Sequence, residues 1–227
     1  MTQSGQTQTT KPQTNHANDL PSRDVSSAEF WQNRYDAGYT GWDIGKISPP
    51  LQAYIEHLVA AGVDKAAMIL IAGAGNAYEA AYLHEQGFSN VLVLDFAQQP
   101  LDNFANANPT FPKTHLIKAD FFGLNPDTYQ FDYMIEQTFF CAIDPSRREE
   151  YAKQMARLLK PTGELFGVLF DRDFEQSPPF GGSAQEYRET FAPYFRQVLI
   201  EPCYNSIEPR QGTELFVRLS QRQNIHN

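Results

Sequence analysis

Met68-Ile69-Leu70-Ile71-Ala72-Gly73-Ala74-Gly75-Asn76 is the stretch that decides the fold. Apolar residues run straight into a turn bracketed by two glycines, and helical composition follows over residues 77–86 until Gly87. This is the pattern of a buried strand that stops abruptly and hands the chain to a helix. Glycines one residue apart allow positive φ and let a ligand approach the backbone closely.

Working downstream, residues 90–95 (Asn-Val-Leu-Val-Leu-Asp) form a second apolar strand, and 96–106 a helix. Residues 115–120 form a third strand, and 129–138 hold a fourth that ends at Glu136-Gln137. Asp144-Pro145 has N-cap and first-turn chemistry for a helix that Lys160-Pro161-Thr162-Gly163 should stop. Residues 164–170 are a fifth strand and 184–194 a helix. Residues 197–203 and 214–220 are strands too close for a crossover helix, so they should pair antiparallel. Continuously apolar strands point to a sheet covered on both faces. The expected architecture is therefore a doubly wound α/β fold: a seven-stranded mixed sheet with one antiparallel strand and helices on both faces.

Upstream, Pro49-Pro50 opens a helix whose Leu51, Tyr54, Ile55, Leu58 and Val59 form a core-facing stripe, with Gly62 at its end. Ser27 is placed to cap a short helix that carries Trp31 and Tyr35. Trp42 follows in Thr40-Gly41-Trp42-Asp43-Ile44-Gly45. Large aromatics in such a segment must bury against something, and a lid over residues 27–48 is one solution. Residues 1–26 are polar and lack the apolar centre of a secretory signal, which reads as a disordered tail before a single domain over 27–227.

The chain has 227 residues and a formal net charge of −9. No basic cluster stands out, which argues against nucleic acid and membrane surfaces as partners. No apolar run approaches the roughly 18 residues of a membrane span. Two cysteines, Cys141 and Cys203, make neither a disulfide framework nor a metal spacing, as expected for a reducing, cytoplasmic setting and a site without metal. A monomer is expected.

In open α/β sheets, ligands bind beyond the carboxyl ends of the strands. Those ends offer Gly73 and Gly75, then Asp95, then Asp120 and Phe121, then Glu136. Asp95 lies 20 residues after Gly75, the spacing at which an acid accepts hydrogen bonds from ribose hydroxyls. Each acid has an alternative as a helix cap or a solvated turn. A dinucleotide fingerprint needs a third glycine, but Tyr78 occupies that position, and no Gly-Lys-Ser/Thr phosphate loop is present. A cofactor with ribose and adenine but no phosphate fits better, and S-adenosylmethionine is such a molecule. Its carboxylate suits a helix start, and its sulfonium suits acids and aromatic faces.

Trp31, Trp42-Asp43-Ile44-Gly45, Ser48-Pro49-Pro50, Gly73-Ala74-Gly75-Asn76, the run from Phe139 to Pro145 and Pro178-Pro179-Phe180 resemble the thiopurine S-methyltransferase family. The likeness is to its plant and fungal halide, thiocyanate and thiol methyltransferases and their bacterial relatives. The resemblance implies a Rossmann-like class I fold and transfer of methyl from S-adenosylmethionine to the sulfur of a small thiol or sulfide. Halide, thiocyanate or thiopurine are alternative acceptors on the same scaffold. It also implies that Trp31, Tyr35 and Trp42 cover the cofactor, Gly73 contacts its methionine part and Asp95 holds its ribose. Asp120 and Phe121 would flank the adenine, and Glu136 would sit near the methionine amine. Tyr35 replaces a third tryptophan of the plant halide enzymes, and Phe180 replaces a frequent tyrosine near the acceptor; the second departure counts against halide as the favoured acceptor.

An anionic sulfur nucleophile needs no general base, so no catalytic residue is assigned. Phe139, Phe140 and Phe180 are candidates for the acceptor pocket, with Arg210 near its mouth. Arg147 and Arg148 read as an exposed helix face, and Cys141 as a small buried residue. A non-catalytic cofactor-binding protein and a nicotinamide oxidoreductase are the competing classes. Tyr78 and the antiparallel ending count against the latter.

Overall fold

The computed structural model describes residues 24–223, so the expected tail lies outside the described residues except for its last three. Chain order runs α1 (Ala28–Asp36), α2 (Pro49–Ala60), β1 (Met68–Ala72), α3 (Tyr78–Glu85), β2 (Asn90–Asp95) and α4 (Gln98–Ala107). Then come β3 (Leu116–Lys118), β4 (Phe131–Gln137), α5 (Arg148–Leu158), β5 (Leu159–Phe170), α6 (Ala184–Phe191), β6 (Phe195–Pro202) and β7 (Glu214–Arg222). The strands join one seven-stranded sheet in the order β3-β2-β1-β4-β5-β7-β6. β1 pairs parallel with β2 and β4, and β4 with β5, while β7 runs antiparallel to both β5 and β6.

The period-two geometry of a strand explains why β1 is apolar at every position. Leu70 and Ala72 face one core with Tyr151 and Met155 of α5 and Tyr187 and Phe191 of α6. Ile69 and Ile71 face the other, with Leu51 and Ile55 of α2, Ala80 and Leu83 of α3, and Phe104 of α4. Each fully buried Leu, Ile, Met or Phe among them stabilises the fold by about 1.5–3 kcal/mol before ordering entropy is counted. The α2 stripe behaves as expected: Leu51 and Ile55 are fully buried, and Tyr54, Leu58 and Val59 pack at the margin.

Three boundaries differ from the sequence reading. The residues expected to stop a helix, Lys160 to Gly163, lie within β5. They are absorbed by a bulge, because the β4–β5 register jumps from Phe131↔Leu159 to Tyr133↔Glu164. Lys160 Nζ pairs with Asp132 Oδ2 at 2.7 Å across that irregularity. The third strand shrinks to Leu116–Lys118, since residues 113–115 form a 3-10 turn. The Asp144-Pro145 cap opens a 3-10 turn, and α5 begins only at Arg148. Among the described residues no helix is long and apolar enough to cross a membrane.

Gly167 in β5 pairs with Glu136 in β4, and a Cβ there would stand 2.3 Å from the Glu136 carbonyl oxygen. Gly167→Ala is expected to cost about 1–3 kcal/mol or more in urea unfolding. Gly123→Ala, with nothing within 4 Å of the added carbon, should stay within about 0.5 kcal/mol. Equal effects would contradict this packing.

Candidate active site

β1 connects rightward to β2 and β3, whereas β4 begins on its other side, so the strand order reverses between β1 and β4. Loops diverge at such a point and leave a crevice. Here the β1–α3 turn carries left-handed backbone at Gly73 (φ 57°), Gly75 (φ 54°) and Ala77 (φ 49°). The glycines are required by side chains as well as by φ. A Cβ on Gly73 would lie 2.1 Å from the Phe139 ring, and one on Gly75 would lie 3.0 Å from the Tyr35 hydroxyl. Ala77 has no such freedom and holds roughly 1 kcal/mol of backbone strain at the start of α3.

Asp95, at the end of β2, is buried and ties this turn together. Its Oδ2 accepts from Gly75 N–H at 3.1 Å and its Oδ1 from Ala97 N–H at 2.9 Å. The second bond closes a local turn, which is why α4 starts at Gln98 and not directly after the strand. An ionised carboxylate offers about four acceptor sites. The backbone uses part of this capacity, and the carboxyl borders the cavity. Burial pushes the Asp95 carboxyl up to about 6, against the lowering effect of its backbone donors.

Before the turn in sequence, α1 and the segment after it form a roof. Ser27 caps α1 by accepting from Phe30 N–H. Trp42 packs edge-on against Trp31 and Tyr35, each with ring centroids 5.5 Å away. Trp31 Nε1 donates to the Val25 carbonyl at 2.8 Å. Gln32 Oε1 accepts from the N–H groups of Gln98 and Gln99, so the roof helix supplies the acceptor that the N-terminus of α4 lacks. Asp43 closes the other side: Oδ2 accepts from Asn76 Nδ2 at 2.5 Å and from the Tyr78 hydroxyl at 3.3 Å.

The cleft that turn and roof border has a volume of about 700 Å3. Gly73, Gly75 and Asp95 form its floor, and Trp31, Tyr35 and Trp42 border it from the roof. Asp120 and Phe121 line it beyond β3, and Phe139 and Arg210 line it on the far side. Asp120 also accepts from Phe122 N–H at 3.0 Å, so its turn-forming role is real as well.

Three expected site residues lie elsewhere. Glu136 is buried beneath the cavity and is not on its wall. Its Oε1 accepts from the N–H groups of Phe139 and Phe140, and its Oε2 from the Tyr151 hydroxyl, so its oxygens shape the turn that presents Phe139. Phe140 points into the core against Tyr151, Tyr187 and Phe191. Phe180 does not line the cavity either; its N–H holds the loop to the Cys141 carbonyl at 2.6 Å, while Pro178 and Pro179 reach the wall. The reading of Arg147 and Arg148 as an exposed face also fails. Arg148 is buried, pairs with Glu186 and donates to the Gly181 carbonyl. Arg147 lines the cavity with its guanidinium 3.6 Å from the Phe122 ring centroid. Cys141 is buried as expected, and burial pushes its thiol well up.

Sequence reasoning missed Asp43, Glu79, Phe170, Arg172 and Phe174, all on the cavity wall. Glu79 in the first turn of α3 is buried, and its carboxyl is pushed up to about 7 by desolvation, with the Ser48 N–H as a partner that lowers it. Its place directly after the glycine turn was the available signal. Phe170 and Phe174 carried none, because the pocket gathers them from the end of β5 and the loop beyond.

A family model described as thiopurine S-methyltransferase matches residues 26–223. The probable thiol methyltransferase 2 of Arabidopsis thaliana is 30% identical over 207 residues, covering 89% of this chain and 89% of that protein. The thiocyanate methyltransferase 1 of Brassica oleracea is 31% identical over 194 residues, covering 83% of each. Among solved structures, the 1,6-didemethyltoxoflavin-N1-methyltransferase of Burkholderia thailandensis, with bound S-adenosylhomocysteine, superposes with a TM-score of 0.67 at 19% identity over 87% of each chain. That last likeness concerns the fold.

Asp95, Glu79 and Glu136 share one consequence. All three carboxyls are raised by burial, to about 6, 7 and 7, whereas in an unfolded chain they titrate near 4. Between roughly pH 4 and 7 the native state therefore holds protons that the unfolded chain has released, and stability falls as pH rises through that window. The ligand-free protein should melt at a lower temperature at pH 8 than at pH 6, and Asp95→Asn should flatten the lower part of the slope. A midpoint that climbs steadily from pH 5 to 8 would contradict these assignments.

Proposed function

The chain belongs to the thiopurine S-methyltransferase family and is an S-adenosylmethionine-dependent methyltransferase, and from that premise we propose that its acceptor is the sulfur of a small thiol or sulfide. The observation that carries this reading is the composition of the cavity away from the glycine turn. Phe139, Phe170 and Phe174 supply an apolar wall, and the guanidiniums of Arg172 and Arg210 stand beside it, 4.7 Å from the Phe174 ring centre and 5.4 Å from the Phe170 ring centre. An apolar, cation-rimmed site favours a soft anion over water and over a neutral oxygen nucleophile.

The cofactor-side residues fit the group the family uses. We assign Asp95 to the ribose hydroxyls, which would take up its remaining acceptor capacity. Gly73 and Gly75 give close approach at the start of α3, Asp120 and Phe121 border the base, and Trp31, Tyr35 and Trp42 cover the whole. Glu136 is left out of the binding set because it does not line the cavity and its oxygens accept from Phe139, Phe140 and Tyr151. When bound, S-adenosylmethionine supplies an electrophilic methyl group on a sulfonium. The chain's own part is to exclude water with the aromatic roof and the phenylalanine wall, and to hold the acceptor in line. A thiol with an ordinary pKa near 8.5 is a few per cent ionised at neutral pH, and the guanidiniums of Arg172 and Arg210 shift that balance further toward the thiolate. No side chain is assigned as a base.

Thiocyanate is the second reading. The sequence argument bore on halide alone and rested on Phe180, which does not line the cavity, and the Brassica oleracea relative is named for thiocyanate. The acidic net charge supports a small-molecule partner over nucleic acid. The two unpaired, buried cysteines agree with a reducing, cytoplasmic location.

Transfer of labelled methyl to methanethiol, hydrosulfide, thiocyanate and iodide tests the proposal. Sulfur acceptors should exceed iodide by about tenfold or more in kcat/KM. Asp95→Ala should weaken cofactor binding about 100-fold, the effect of about 3 kcal/mol of charge-assisted hydrogen bonds. Iodide as the fastest acceptor would contradict the sulfur assignment. Cofactor binding without transfer to any acceptor would mark a non-catalytic binder.

A further inference from the structure

We propose that Arg210 and Asp43 are positioning residues that make cofactor binding and acceptor binding depend on one another through the Trp42 segment. The inference rests on the assignment of the two halves of the cavity given above. Arg210 lies in the 3-10 turn between β6 and β7, at the acceptor end. Its Nη2 donates to the Trp42 carbonyl at 2.8 Å, a contact across 168 residues of chain. Its Nη1 reaches Glu214 Oε1 at 3.3 Å, and its guanidinium sits 5.4 Å from the centre of the Phe170 ring. Both partners of the ion pair are largely buried, with side chains 12% and 5% exposed. Arg210 therefore links the acceptor wall to the roof backbone, so that the position of one bears on the other.

The next residue, Asp43, fastens the same segment to the cofactor side. Its carboxylate accepts from Asn76 and Tyr78, which flank the left-handed Ala77 at the start of α3, and from Gly45 N–H at 2.7 Å. The Trp42 side chain meanwhile packs on Trp31 and Tyr35 over the cavity. One short segment is thus tied in two directions: by Asp43 to the turn that receives the cofactor, and by Arg210 to the wall that receives the acceptor. A ligand beside Phe170 that restrains Arg210 also restrains Trp42, and a cofactor that orders Trp42 also sets Arg210. Two sites that share one ordering step bind with positive coupling, and the coupling is reciprocal.

The test is calorimetric binding of S-adenosylhomocysteine with and without saturating thiophenol, or thiocyanate if the acceptor comparison ranks it first. Neither mixture can react, because the product cofactor has no methyl to give. In the wild type the acceptor should tighten S-adenosylhomocysteine binding about tenfold, within the usual range of site–site coupling. Arg210→Met keeps an apolar stem against Phe170 but removes the link. It should bind S-adenosylhomocysteine alone within about threefold of wild type and, at thiophenol concentrations shown by titration to saturate the variant, show coupling near one. Asp43→Ala should also lose the coupling, with weaker binding of S-adenosylhomocysteine alone. Thermal melts identify any variant that fails to fold, and Arg210→Lys, which restores one donor to the Trp42 carbonyl, should recover part of the coupling. Arg210→Met with wild-type coupling overturns the proposal, as does a wild type that methylates a thiol with coupling near one. A wild type that binds cofactor and methylates no sulfur acceptor instead contradicts the functional reading beneath it.

Discussion

The hydrogen bond from Gly75 N–H to Asp95 Oδ2 joins the end of β1 to the end of β2, and the site is assembled around it. For it to form, the chain after β1 must turn sharply enough to aim an amide at the neighbouring strand. That requires the left-handed backbone at Gly73 and Gly75. It also requires a buried carboxylate, whose desolvation only backbone donors offset. The bond leaves Asp95 fixed in orientation, bordering the cavity, with acceptor capacity unused. Rigidity here comes from the sheet: β1 and β2 are parallel neighbours in register from Met68↔Asn90 to Ala72↔Leu94.

A second layer of construction surrounds this bond. Glu136 fixes the turn after β4 from below, so that Phe139 stands against Gly73, while the roof is tied on by Gln32, Asp43 and Arg210. These ties join segments far apart in sequence, and they use polar side chains against backbone or other side chains. The floor of the site is part of the core, whereas the roof is held by a few hydrogen bonds and aromatic edges. That division suits a cavity that must admit and release a molecule as large as its own floor.

The parts of this arrangement that depend on local pattern were legible in the sequence. Strand β1, its glycine turn, the α2 stripe and the antiparallel ending follow from apolar period, turn residues and spacing. Asp95 was legible because its distance from Gly75 reflects the length of one strand–helix–strand unit. The failures have a common physical origin. Glu136 and Phe140 sit at a strand end where one residue faces the crevice and the next faces the core, and a sequence does not say which. Phe180 follows two prolines that do reach the wall, but its own backbone is pinned to Cys141. The Lys160–Gly163 stretch has turn composition, and only its partner strand made it a bulge. Asp43 and Arg210 were in view, yet their contacts span 33 and 168 residues and leave no periodic trace.

The central claim is that the crevice between β1 and β4 receives S-adenosylmethionine with its ribose on Asp95 and its sulfonium turned toward Phe139 and the Phe170–Phe174 wall. A crystal structure of the protein with S-adenosylhomocysteine tests this most directly. The account predicts both ribose hydroxyls within hydrogen-bond distance of the Asp95 carboxylate, the base against Phe121, and the sulfur facing the phenylalanine wall with Glu136 making no contact. A ribose held elsewhere, or a sulfur pointing away from Phe139 and Phe170, would contradict it.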